Sequence, residues 1–279
     1  MAEPTLYIVA TPIGNLEDMV PRALNVLQTV DVIAAEDTRH SSRLMQHFNI
    51  TTPMIACHDH NEGFVAQKLL DRLREGQQVA LISDAGTPLI SDPGYRVVSL
   101  VRAEGFRVVP VPGACAMVAA LSASGLPSDR FLFEGFLPAK EVARGQRLRQ
   151  LQTETATMIF YESPHRIVAT LNSVVAEFGA ERELVIAREL TKTFETICAL
   201  PAAAMLAWVL GDGNQQKGEI VLLVRGAAKR EQSEDLDDEV LRILSLLAEE
   251  LPAKQASMLA AKITGEKKNK LYKRIIADQ

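Results

Sequence analysis

Three short stretches of this sequence concentrate the side chains that chemistry requires. Glu36-Asp37-Thr38-Arg39-His40 sets two carboxylates beside a guanidinium and an imidazole, and His58-Asp59-His60-Asn61-Glu62 sets two imidazoles among two carboxylates and an amide. Ser83-Asp84-Ala85-Gly86-Thr87-Pro88 adds one carboxylate to small residues over which a ligand can approach the backbone. Carboxylates and imidazoles can accept a proton from a reacting hydroxyl, while arginine and asparagine can hold phosphate oxygens or base edges. Asp37, Arg39, His58, Asn61 and Glu62 are therefore candidate catalytic residues, with Glu36 and His60 as further proton acceptors. Spacing alone does not choose among them. His58 and His60 would share one face of an extended segment, but no cysteine and no evident third ligand accompanies them, so no metal site is expected. Asp37 or Thr38 could equally serve as a helix cap.

These stretches are positioned by alternating elements. Apolar segments at 6–10, 32–35, 53–57, 79–82 and 106–111 read as buried strands, and segments at 20–27, 41–48, 64–74 and 95–103 as helices. The three reactive stretches follow the second, third and fourth strands. Thr11-Pro12-Ile13-Gly14-Asn15 follows the first, and Pro112-Gly113-Ala114-Cys115-Ala116 the fifth. Strands separated by helices imply right-handed crossovers and a mostly parallel sheet. All five loops then lie at its carboxyl edge, where ligands bind. Ser91 or Asp92 is expected to cap the fourth helix, with Pro93 at its first position.

A second half begins near Pro112. A helix at 114–124, ending at Gly125-Leu126-Pro127, links the halves. Strands are expected at 131–133, 157–161, 184–187, 194–198 and 219–224, and helices at about 141–151, 165–177 and 201–209. The short connection between 187 and 194 implies an antiparallel hairpin and so a mixed sheet. From Glu231 to Glu239, six of nine residues are acidic, which reads as a solvated linker. Beyond it, Val240, Leu241, Ile243, Leu244 and Leu247 open the first of three short helices, separated by Pro252 and Gly265. The fold class is α/β, with an N-terminal domain over 1–112, a C-terminal domain over 113–228 and a helical module over 235–279.

Composition narrows the function. The net charge of −5 conceals a basic tail, since Lys254 to Arg274 carries seven cations against Glu266 alone, a local balance of +6. Such a tail suits phosphate contacts. Cys57, Cys115 and Cys198 are far apart and odd in number, which argues for reduced thiols in a cytoplasmic protein. No apolar run approaches the roughly 18 residues that span a bilayer, so no membrane partner is expected, and the N-terminus enters a strand without a basic leader. There is no GxGxxG after the first strand, no GxxxxGK[ST] and no GxSxG. Their absence argues against a conventional dinucleotide fold, a P-loop and a nucleophile elbow. Short loops without phosphate-cradling glycines suit a ligand with little phosphate.

Six ordered motifs carry a resemblance. They are Val9-Ala10-Thr11-Pro12-Ile13-Gly14-Asn15-Leu16, Ala35-Glu36-Asp37-Thr38-Arg39, His58-Asp59-His60-Asn61-Glu62, Ser83-Asp84-Ala85-Gly86-Thr87-Pro88, Phe160-Tyr161-Glu162-Ser163-Pro164-His165-Arg166 and Ala187-Arg188-Glu189-Leu190-Thr191-Lys192. With the tail Lys267-Lys268-Asn269-Lys270-Leu271-Tyr272-Lys273, they resemble the tetrapyrrole (corrin/porphyrin) methylase superfamily, in its branch that 2′-O-methylates a cytidine of 16S ribosomal RNA. The resemblance implies two α/β domains of the tetrapyrrole methylase type, a cleft between them for S-adenosylmethionine, a homodimer, and 16S rRNA or the 30S subunit as partner. Carried over by motif, Asp84, Gly86, Pro88, Leu89 and Ile90 belong to the loop that replaces the superfamily's Gly-Asp-Pro cofactor loop. Pro12, Cys115, Ala116, Tyr161, Ala187, Gly218 and Ile220 would line the rest of the pocket. Methyl transfer from a sulfonium needs no metal, but a ribose hydroxyl is a weak acid, so a base or hydrogen-bond acceptor at the cofactor's mouth should help. Lys140, Arg144, Arg147, Arg149 and the basic tail would supply phosphate contacts.

Overall fold

Runs of β-branched and small apolar residues build the first sheet. β1 (Thr5–Val9), β2 (Val32–Ala35), β3 (Met54–Ala56), β4 (Val79–Ile82) and β5 (Arg107–Val111) lie in the order β3-β2-β4-β1-β5, with every neighbouring pair parallel. β2 and β4 are buried along their whole length, as strands covered on both faces must be. Alternate residues divide between two cores. Leu6, Val32, Ala34, Val79 and Leu81 face one side and meet α3 (Glu62–Arg74) and α4 (Tyr95–Ala103). Val9, Ile33, Ala35, Ala80 and Ile82 face the other and meet α1 (Pro21–Thr29) and α2 (Thr38–His47).

The second sheet is mixed, as the hairpin implied. β6 (Phe131–Phe136), β7 (Thr157–Glu162), β8 (Glu183–Arg188), β9 (Thr196–Pro201) and β10 (Ile220–Val224) run in the order β6-β7-β10-β8-β9. Only β6 and β7 pair in parallel. One face is covered by α5 (Ala116–Ser124) through Ala120 and Leu121, joined by Ile13 from the loop after β1. The other packs on α6 (Glu141–Leu151), α7 (Ile167–Phe178) and α8 (Ala202–Gly211). Ile13 thus carries the first half of the chain into the core of the second.

The computed structural model describes residues 3–228, 236 and 238–277, and contacts group the chain into two units, Met1–Ala227 and Ala228–Gln279. Both sheets belong to the first unit. The second holds α9 (Asp238–Glu250), α10 (Ala253–Thr264) and α11 (Lys268–Ala277) around Leu236, Leu244, Ala256, Ala260, Leu271 and Ile275. α10 starts after Pro252 and stops at Gly265, whose φ of +76° closes the helix with a left-handed residue. Lys254, Lys262, Lys267, Lys268 and Lys273 are exposed on this unit. Of the acidic run over 231–239, residues 231–235 and 237 lie outside the described residues. α9 takes up its end from Asp238.

Several element boundaries differ from the sequence reading: α2 opens three residues earlier, at Thr38, and β6 runs on to Phe136. α4 starts at Tyr95 after Gly94, rather than at Pro93 after a Ser91 or Asp92 cap. Ser91 is held at φ +65°, outside the extended backbone that a cap adopts. The capping acceptor comes instead from Glu62, whose Oε1 accepts from Gly94 N at 3.0 Å and Arg96 N at 2.7 Å. β9 lies two to three residues later than expected, over Thr196–Pro201, because its pairing with β8 sets Thr196 opposite Arg188 and leaves Phe194 in the preceding turn.

Candidate functional site

The carboxyl ends of β1, β4 and β5 are stitched into one wall by the backbone. Thr11 N donates to Gly86 O at 2.9 Å and Gly86 N returns a bond to Thr11 O at 3.0 Å, an isolated antiparallel bridge between two loops. Thr87 Oγ1 donates to Ala114 O at 2.9 Å and ties in the loop after β5. Gly86 sits at φ +85° with Ile13 Cγ2 only 3.3 Å from where a Cβ would stand, so the turn needs glycine. Farther along, Leu89 and Ser91 hold φ of +75° and +65°. Backbone of this kind costs of order 1–3 kcal/mol per residue and gathers at ligand-binding loops.

The facing wall comes from the second sheet. Tyr161, near the end of β7, accepts a hydrogen bond from Met117 N at 3.3 Å, and its ring meets Phe133 and Phe136 edge-on at 4.9 and 5.9 Å. Burial, with Cys115 nearby, pushes its phenol up to about 12. Gly218, before β10, has φ +79°, and a Cβ there would fall 2.3 Å from Glu189 Oε1. Glu189 is fixed by Lys192 Nζ at 2.9 Å and by Glu219 N at 2.9 Å, and the same ammonium reaches Glu219 Oε2 at 2.9 Å. Glu162 is buried and fully engaged. Its carboxylate accepts from Ser163 N at 2.7 Å and Thr170 Oγ1 at 2.5 Å and pairs with Arg166 at 3.4 Å.

Between the walls lies a cleft of about 390 Å³, within the range of small-molecule and cofactor sites. Asp92, Glu162 and Glu219 are the carboxylates on its lining. Glu219 faces Lys192 and Glu162 faces Arg166, but among the described residues no cation pairs with Asp92. Burial, reinforced by Glu36, Asp84 and Asp59, pushes the Asp92 carboxyl up to about 6 against the hydrogen bond from Ser83. Glu36 is raised for the same reasons, burial first and then Asp84 and Asp59, although Asp84 N donates to it at 3.3 Å.

Of the residues expected to hold a cofactor, Gly86, Ile90, Cys115, Ala116, Tyr161, Ala187, Gly218 and Ile220 lie on the lining. Pro12, Asp84, Pro88 and Leu89 do not. Asp84 stands behind the wall, where its Oδ1 accepts from Asp37 N at 3.0 Å. None of the five catalytic candidates lines the cleft, and three are occupied elsewhere. Asp37 caps α2, with Oδ1 accepting from Arg39 N at 2.8 Å and His40 N at 3.4 Å. Asn61 closes the turn after β3, accepting from His58 N at 2.9 Å and donating to Ala56 O at 3.1 Å. Glu62 is buried and caps α4. Arg39 is exposed, its side chain 92% accessible, and His58 has a buried Nδ1 without a hydrogen-bond partner. Asp92, Phe136, Glu162, Ser163, Pro164 and Leu190 line the cleft and were not singled out as site residues. The motif around Tyr161 carried a signal for three of them. Asp92 carried one too, but its place beside a proline drew it toward a capping role.

The arginines of the basic stretch on α6 make contacts within the protein. Arg144 is buried, donating to Ser173 Oγ and Ala139 O. Arg147 grips Glu134 with two nitrogens at 2.6 and 2.8 Å, and Arg149 pairs with Glu177 at 2.5 Å. Arg147 and Arg149 thus spend their charge on ion pairs at the surface and Arg144 is buried, which leaves Lys140 as the exposed cation of the four expected there without an ion pair among the described residues.

Comparison with known proteins bears on this geometry. The family model of Tetrapyrrole (Corrin/Porphyrin) Methylases matches residues 5–206, and that of the RsmI C-terminal HTH domain matches residues 234–279. The chain is 57% identical to the Ribosomal RNA small subunit methyltransferase I of Pseudomonas aeruginosa, over 100% of this chain and 99% of that one. It is also 57% identical to the protein of the same name from Escherichia coli O157:H7, over 98% and 95%. Among solved structures, a diphthine synthase matches with a TM-score of 0.60 at 13% identity over 79% of this chain and 90% of that one. A uroporphyrin-III-C-methyltransferase from Thermus thermophilus matches at 0.57 and 21% identity, over 80% and 94%. At these identities the structures speak for the fold.

Proposed function

The chain belongs to the tetrapyrrole (corrin/porphyrin) methylase family, and from that premise we propose that it methylates the 2′-oxygen of a cytidine in 16S ribosomal RNA, with S-adenosylmethionine as donor. The observation that carries this reading is the full-length likeness to relatives named for methylation of small-subunit ribosomal RNA, which extends through the basic helical module. The cleft supports it from below. Its volume, the tight backbone turns at Gly86 and Gly218, and the apolar faces of Ile13, Ile90 and Ile220 suit a nucleoside. Bound there, S-adenosylmethionine supplies a methyl group on a sulfonium, which is released as a neutral thioether.

The chain's part is to position the ribose and take its proton. Asp92 is the acceptor in this reading, because Glu162 and Glu219 are already committed to partners. Half-buried and raised to about 6, it is ionised at neutral pH and remains basic enough to receive a proton. Tyr161 keeps its proton throughout and packs the wall. Arg39, exposed after β2, and Lys140 meet phosphate, as do the lysines of the helical module. The same reading makes the enzyme a cytoplasmic homodimer that acts on the 30S subunit. The open edge of β9, with Phe194 71% and Ile197 40% exposed beside it, supports pairing with a second copy. No helix among the described residues is long and apolar enough to cross a membrane.

Incubation with radiolabelled methyl donor and 30S subunits, followed by mapping of the labelled nucleotide, tests the reading. Label on one cytidine ribose of 16S rRNA is expected. Label on a tetrapyrrole precursor instead, or on protein, would overturn it.

A further inference from the structure

Two aromatic rings stand in water at the starts of α3 and α4. Phe64 is 68% exposed and Tyr95 73%, and neither joins a hydrophobic core of the fold. A single exposed ring is unremarkable, but these two are held together. Phe64 is the third residue of α3 and Tyr95 the first of α4, and the Glu62 carboxylate binds the two helix starts to each other through Gly94 N and Arg96 N.

Cations surround them. Lys68 Nζ lies 4.3 Å from the centre of the Phe64 ring. Arg96 reaches back across α3, so that a methyl group on Gly63 would lie 3.9 Å from its guanidinium. Both cations are exposed, and neither has an ion pair among the described residues. Along the chain, Tyr95 follows Asp92, a residue of the cleft lining, by three residues. An apolar protein surface would gain little from a face with two free charges. A nucleotide has the matching chemistry, a π face for each ring and a phosphate for each cation.

We propose that Phe64, Tyr95, Lys68 and Arg96 form a stacking platform for an unpaired nucleotide of the RNA substrate, adjacent to the nucleotide whose ribose enters the cleft. This rests on the reading of the protein as an RNA methyltransferase and adds a subsite to it. The rings take the flanking base and the cations its phosphates. The target nucleotide is thereby drawn out of its stack and presented to Asp92. Recognition then comes from an unpaired neighbour as well as from the basic tail.

The test uses the full-length enzyme and 30S subunits. The Phe64→Ala/Tyr95→Ala double variant should raise KM for the subunit about 10- to 100-fold, the worth of a lost base stack, with the dissociation constant for S-adenosylmethionine unchanged. Phe64→Trp should restore binding, whereas Phe64→Leu, similar in bulk but without a π face, should not. Lys68→Gln and Arg96→Gln should make the salt dependence of RNA binding shallower. An unchanged KM in the double variant would overturn the platform, as would full rescue by leucine. So would a double variant that changes oligomeric state, since the patch would then be a protein interface. If the wild type labels no ribosomal RNA, the functional reading itself fails, an outcome separate from failure of the platform alone.

Discussion

Replacing Asp92 with Asn removes one charge from the cleft and leaves its shape. The carboxyl lies at about 6 in the fold against an ordinary 3.8. Ionising it therefore works against the folded state. The penalty is absent below about pH 4, grows as pH rises through the interval up to 6, and is complete above. At about 1.4 kcal/mol per pH unit the difference is roughly 3 kcal/mol, of which partial exposure leaves roughly 1–2. Asp92→Asn should therefore melt higher than the wild type at pH 8, by about 2–4 °C for each kcal/mol. Its kcat should fall about 10²–10⁴-fold, the usual worth of a positioned base. The wild-type profile of kcat/KM for the methyl donor should show an acid limb near 6, because the ionised form alone accepts the proton. Roughly a tenth of the enzyme is in that form at pH 5 and nearly all of it at pH 8. The groups that face Asp92 are Glu36, Asp84, Asp59, Ser83 and, across the cleft, Tyr161. Glu36 is raised as well, so loss of the limb in Asp92→Asn is the assignment that matters. Rates from pH 5 to 8.5, thermal melts and calorimetric titration of S-adenosylmethionine supply the three readouts. An Asn variant with wild-type rate or an intact acid limb would refute the argument. A loss of cofactor affinity that matches the loss of rate would also refute it, by making Asp92 a ligand for the donor.

Three other outcomes follow from the geometry. Glu62→Ala strands the Gly94 and Arg96 amides and should cost about 1–3 kcal/mol in chemical denaturation, with Glu62→Gln recovering part through its remaining carbonyl. Gly218→Ala forces a side chain onto the Glu189 carboxylate in a left-handed conformation, which alone costs about 1–2 kcal/mol; cofactor affinity measured by calorimetry should drop with it. Truncation after Ala227 should leave cofactor binding intact, lower the methylation of 30S subunits and flatten its salt dependence, and undiminished methylation would remove the helical module from RNA recognition.

The parallel sheet was legible in the sequence because burial on both faces leaves a local signature. Val79 to Ile82 is continuous apolar sequence, and all four residues are buried. The loop wall at its carboxyl edge was legible for the same reason, since the end of each strand marks a loop. Glu62 was misread because a cap is usually sought within a few residues of the helix it serves, and this one lies 32 residues before Gly94. The ion pairs of Arg147 and Arg149 were not legible because their partners, Glu134 and Glu177, come from other elements. Asp92 escaped notice as a reactive group because its environment is assembled from the loops after β2, β3 and β4 and from the second sheet. No window of sequence contains them together.

The bridge between Thr11 and Gly86 has a consequence for how this wall can vary. Its two bonds use main-chain atoms, but Thr11 is itself buried and its Oγ1 donates to Ser83 O at 3.3 Å, so only a side chain of similar size fits at position 11. A one-residue insertion in either loop would shift the donors out of register and separate the wall at its centre. Position 11 should therefore hold a small side chain while the loop lengths stay fixed, and libraries that vary loop length, or that place a bulky residue at position 11, should lose cofactor binding.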